Sequence, residues 1–126
     1  MKNYKLSFGE ITILKENLAE VIVNEGEVIN LVKVDEYHDF LLNNLVAPFS
    51  ILINKKHQYC YDFDAQRVIG NIKGLEKFAV LITGAGGIMA TETLIDVNRT
   101  DNWNIKLFRE REDALGWLLR SKKEVS

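Results

Sequence analysis

The sequence predicts an α/β domain built on a mixed sheet, and three observations carry that prediction. Residues 50–54 ("SILIN") and 78–83 ("FAVLIT") are apolar without alternation, as in parallel strands covered on both faces. Near the N-terminus, Tyr4, Leu6 and Phe8 alternate with polar neighbours, the pattern of a strand with one buried face. Helix-like stretches fall between the later strands, an order that implies parallel strands joined by crossovers. The expected architecture has mostly parallel central strands with helices packed on them and an antiparallel N-terminal edge.

Gly9 and Glu10 are read as a turn after the first strand, and Ile11–Leu14 and Leu18–Val23 as two more strands around "KEN". Such short connections give an antiparallel meander. In the next stretch Val34, His38, Leu41, Leu42 and Leu45 recur at helical spacing and predict one amphipathic helix. Pro48 stops it, because the residue before a proline is pushed to extended backbone. After "SILIN", Asp62 or Asp64 can cap a second helix whose stripe is Ala65, Val68, Ile69 and Ile72, with Gly74 as its stop. A short helix through Ala90, Leu94 and Val97 is expected after "FAVLIT". "NIKLF" is the last strand, and "EREDALGWLLRSKK" the last helix, with core positions Leu115, Leu118 and Leu119. Its acids lie at the positive end of the helix dipole and its basic residues at the negative end.

Composition narrows the function classes. A chain of 126 residues fits one domain, residues 1–126. Its formal net charge of -2 gives no electrostatic reason to expect nucleic acid. Cys60 is the single cysteine, so an internal disulfide and a cysteine zinc cluster are both excluded. The N-terminus lacks the apolar core of a signal peptide, and no run approaches the ~20 residues that span a bilayer. A cytoplasmic protein is therefore expected. With two histidines and no ligand spacing, no metal is expected.

Three segments carry a family resemblance: "PFSILINKKHQYCYDFDAQRVIG", "KFAVLITGAGGIMATETL" and "IKLFREREDALGWL". They resemble the SpoIIAA-like proteins, also called STAS/SEC14-domain proteins, from about Pro48 onward. The resemblance implies a SpoIIAA-like mixed sheet and a small, non-enzymatic regulatory or ligand-binding module. Anti-sigma-factor antagonists of the wider fold carry a phosphorylatable serine at the start of the helix after the central strand. The matching region here, "YDFDAQ", holds no serine or threonine, so that switch does not carry over. The SEC14 side of the resemblance implies a lipid-like ligand.

The candidate site follows from the predicted topology. Parallel strands would bring the loops after "SILIN", "FAVLIT" and "NIKLF" to one end of the sheet, where open α/β sheets bind ligands. One loop brings Lys55, Lys56 and His57; another brings Thr83, Gly84, Gly86 and Gly87. Cations beside exposed backbone N–H groups make an anion site. Tyr59, Tyr61 and Phe63 share a face if the segment is extended. They either seal the core edge or form an aromatic contact patch, and Trp103 poses the same choice. Tyr59 and Tyr61 join the candidate ligand-binding set.

The expected function is a non-catalytic regulatory or binding module for a small anionic ligand or a protein partner. It is expected to be a homodimer without a cofactor. The alternative is a small enzyme using Cys60 or His57 at the same edge. "GAGGIM" falls short of a dinucleotide fingerprint because Met89 replaces the third glycine. No G-x-S-x-G elbow is present. His38, on the apolar stripe, is read as a hydrogen-bonded boundary residue.

Overall fold

The N-terminal alternation forms a hairpin of β1 (Lys2–Leu6) and β2 (Gly9–Lys15), extended by β3 (Leu18–Val23) into the expected antiparallel meander. The computed structural model describes residues 1–82 and 104–120. The first turn lies at Ser7–Phe8, two residues earlier than expected. Gly9 instead opens β2 against the neighbouring backbone. A Cβ there would lie 2.1 Å from the Ile22 carbonyl oxygen, so this close approach admits only glycine. Phe8, at the turn, is buried and meets Tyr37 edge to face.

After β4 (Val28–Ile29), α1 runs Leu31–Asn44, with Asn30 as its N-cap accepting from the Lys33 N–H. Its buried face is Val34, Tyr37 and Leu41, while Leu42 is 53% exposed and His38 half-buried. The expected stripe was thus centred too far round the helix. At ~100° per residue, Leu42 stands about 140° from Tyr37, and the large aromatic is the side that packs. His38 is the boundary residue expected: its Nε2–H donates to the Ile69 carbonyl at 2.9 Å.

The central strand β5 (Phe49–Lys55) is buried at every position except the half-buried Asn54. It lies between β3 and β7 (Leu75–Ile82) and is parallel to both; β8 (Ile105–Phe108) then adds parallel to β7. The sheet order β1-β2-β3-β5-β7-β8 is the predicted mixed sheet. A second sheet, unforeseen, pairs β4 in parallel with β6 (Cys60–Tyr61). Asp62, one of the two expected caps, accepts from the Ala65 N–H at 2.8 Å and starts α2 (Phe63–Val68). Gly74 does not end that helix; with φ +95° it turns the chain into β7. The helix expected at Ala90, Leu94 and Val97 lies outside the described residues.

Alternating side chains of the sheet feed two cores. On one face Val21, Ile51, Ile53, Phe78 and Val80 pack with α1, α2, β4 and β6. On the other, Leu18, Leu52, Ala79 and Leu81 meet Ala114 and Leu118 of α3 (Arg111–Leu119). Leu119, expected in the core, is exposed. The helix is fastened at both ends. Arg111, at its start, makes a two-pronged ion pair with Glu20 at 2.6 Å per contact, and Asn54 also donates to Glu20. At its other end, the buried Lys77 ammonium donates to the Trp117 and Arg120 carbonyls, where the helix dipole favours positive charge.

The Glu20 carboxyl is held below its usual range. Burial alone would raise it, but the hydrogen bonds from Arg111 and Asn54 and the Arg111 charge outweigh that cost. This contribution is present above the ordinary carboxylate value and is lost as pH falls through the lower folded value. Arg111→Met should therefore destabilise the protein by about 1–3 kcal/mol at neutral pH. Urea unfolding at several pH values should show the gap to wild type closing as acid protonates Glu20. A gap independent of pH would contradict this account.

Candidate functional site

The exits of β5, β7 and β8 lie at one end of the sheet, because the three strands run parallel. The β1–β2 turn reaches the same end, since Gly9 pairs with Val23 at the end of β3. Here a half-open, largely apolar cavity of about 20 Å3 sits on the α1 side. Its walls include Val21 and Val23 from β3, Ile53 from β5, Ile29 from β4 and Tyr37 from α1, closed by Tyr59 and Tyr61. That volume accommodates about one water molecule or a group of methyl size.

Backbone bonds bring the loop after β5 back over this end. The Gly26 N–H donates to the Gln58 carbonyl at 2.7 Å, and the Cys60 N–H to the Glu27 carbonyl at 3.1 Å. Gly26 has φ +79°, a conformation that glycine adopts without strain. The Glu25 carboxylate accepts from the Gln58 N–H at 2.7 Å. These contacts commit the loop to the short β4–β6 pairing and turn Tyr59 inward.

Tyr59 is buried, and its ring meets that of Tyr61 edge to face, with the hydroxyls 3.2 Å apart. Burial pushes the Tyr59 phenol well up, reinforced by Tyr61 and Tyr37; burial also raises Tyr61 and Tyr37. All three therefore stay neutral at physiological pH and offer O–H donors. Lys33 stands at the rim, its ammonium held 2.5 Å from Glu27 and 3.1 Å from the Val28 carbonyl.

Lys55 departs from the simple picture of a solvated loop cation. As the last residue of β5 it points to the same face as Ile51 and Ile53 and is 9% exposed. Its ammonium lies over the Tyr59 ring, 4.4 Å from the centroid. No carboxylate or carbonyl partners it among the described residues. Burial lowers its pKa, opposed only by the nearby Cys60. Lys56 is exposed and His57 half-buried. Thus the predicted set divides. Tyr59 and Tyr61 line the cavity, Lys55 stacks over Tyr59, and Lys56 and His57 lie on the loop after it. Thr83, Gly84, Gly86 and Gly87 lie outside the described residues, as does Trp103. Phe63 leaves the aromatic row: it begins α2 and is 67% exposed.

Cys60 is exposed, and no hydrogen bond joins it to His57 among the described residues. No group of three metal-ligating side chains occurs among them either. Sequence reading missed Tyr37, Val21 and Val23 as site residues. Tyr37 carried a signal, its i+3 spacing from Val34; the two valines carried only that of a core strand.

No family model matches the chain, and no curated protein matches it significantly. Among solved structures it is similar to an uncharacterised protein of the DUF3478 family with a SpoIIAA-like fold from Shewanella loihica PV-4. The two share 15% identity over 86% of this chain and 89% of that one, with a TM-score of 0.54. At that identity the likeness bears on the fold alone. Together with the mixed sheet, it bears out the expected SpoIIAA-like fold.

Proposed function

We propose that this protein is a non-catalytic binding module that takes a small anionic ligand at the C-terminal ends of its parallel strands. One observation carries the reading: the Lys55 ammonium lies over the ring of Tyr59, which walls a cavity at the sheet end where open α/β sheets bind ligands. Lys56 and His57 add charge on the adjoining loop, and Thr83, Gly84, Gly86 and Gly87 belong to the same proposal as backbone donors. The neutral tyrosines fit a binding role, since raised phenols are poor bases and nucleophiles. No helix among the described residues is long and apolar enough to cross a membrane. A cytoplasmic location and a homodimer complete the reading.

Thermal unfolding with a panel of anions (phosphate, sulfate, carboxylates, nucleotides) tests the proposal. A ligand at ten times its Kd stabilises the native state by about 1.4 kcal/mol, and the midpoint should rise by several degrees. A flat response to the whole panel would sink the small-anion reading and favour a protein partner. Sedimentation equilibrium checks the assembly: the expected mass is twice 14.4 kDa, and a monomer at all concentrations contradicts the dimer.

A further inference from the structure

The short β4–β6 ladder has one covered face and one bare face. Ile29 and Tyr61 turn inward and wall the cavity, while Val28 and Cys60, paired with each other in register, are exposed. Both strands continue directly into helices. Leu31 and Val32 open α1 after β4, and Phe63 opens α2 after β6. The helices leave side by side: the Asp62 N–H donates to the Ile29 carbonyl at 2.9 Å, and further along His38 reaches the Ile69 carbonyl. Val28 is 50% exposed, Leu31 45%, Val32 76% and Phe63 67%. Four large apolar side chains thus stand in solvent where α1 and α2 begin. A two-stranded ribbon this short is marginal unless something packs on it.

We propose that this patch is the surface through which two copies of the chain associate about a two-fold axis. The inference rests on the homodimer of the reading above and names its interface. Area supports it. The four side chains present roughly 400 Å2 of apolar surface, at about 100 Å2 each. A standard interface buries about 800 Å2 per partner, a little over half of it apolar, so the patch supplies the apolar share of one such interface. Charge supports it as well. Asp64 and Arg67 stand exposed on α2 next to Phe63, with the Arg67 guanidinium 5.9 Å from the ring centroid. A two-fold interface pairs a surface with itself, and a rim of both signs lets each copy's cation meet the other's carboxylate. The formal net charge of -2 sets little repulsion between copies. Association then covers the outer side of the ladder whose inner side walls the cavity.

Sedimentation equilibrium of the wild type, Phe63→Asp and Val32→Asp tests the proposal, with the alkylation rate of Cys60 as a second measurement. Each substitution should weaken self-association about thirtyfold or more, the loss typical of a residue at the centre of an interface. Both positions are exposed sites in the first turn of a helix, where an aspartate suits the helix dipole. The fold should therefore persist, as circular dichroism checks. Wild-type Cys60 should react with a maleimide more slowly as protein concentration rises, whereas both variants should react at one rate throughout. A dimer that survives both substitutions, or a dimer in which Cys60 labelling ignores concentration, overturns this inference and leaves the homodimer reading standing. A monomer at every concentration overturns both, and binding to phosphatidylcholine vesicles that Phe63→Asp abolishes would then assign the patch to a lipid surface. The labelling series needs only the wild-type protein, so misfolding of a variant cannot rescue the idea.

Discussion

The parallel pairing of β5 with both of its neighbours is the constraint on which the rest of this structure depends. A strand in that position is covered on two faces, so nearly every side chain it carries must be apolar or must meet a partner. Parallel strands also return the chain to the same starting edge each time. Their exits therefore collect at one end, and the segments after them compete for the same small volume. The loop after β5 fills part of that volume by pairing β6 with β4, which turns two tyrosines inward.

Three ionic side chains enter the two-faced core, and their different solutions are instructive. Glu20 meets a guanidinium and an amide, so its charge is kept and α3 is fastened to the sheet. Lys77 meets the last carbonyls of the same helix, whose dipole welcomes it. Lys55 meets only an aromatic face among the described residues. A cation–π contact contributes about 0.5–2 kcal/mol. The first two arrangements use hydrogen bonds to protein groups; the third uses a ring face.

The fold was largely legible because its signals are local and strong. "SILIN" and "FAVLIT" can hardly sit anywhere but inside a sheet, and the meander follows from connections too short for any other pairing. The helix starts were only partly legible. Asp62 competed with Asp64, and the choice went to the residue whose backbone is extended at the end of β6. The β4–β6 ladder was not legible at all. Two residues are too few to show a period, and the pairing joins positions some thirty apart through backbone bonds that leave no mark on residue type. The ion pair between Glu20 and Arg111 was hidden for the same reason, since charges distant in sequence look like ordinary surface.

By itself, then, the amino-acid sequence determined most of the element types, the mixed sheet and the end at which its parallel strands exit, because burial imposes periodicity and length on each segment. Tertiary structure alone decided that Lys55 turns inward over Tyr59, that Tyr37 rather than Leu42 faces the core, and that Phe63 faces out. Orientation at an element's boundary depends on which neighbours close over it, and those neighbours come from distant parts of the chain.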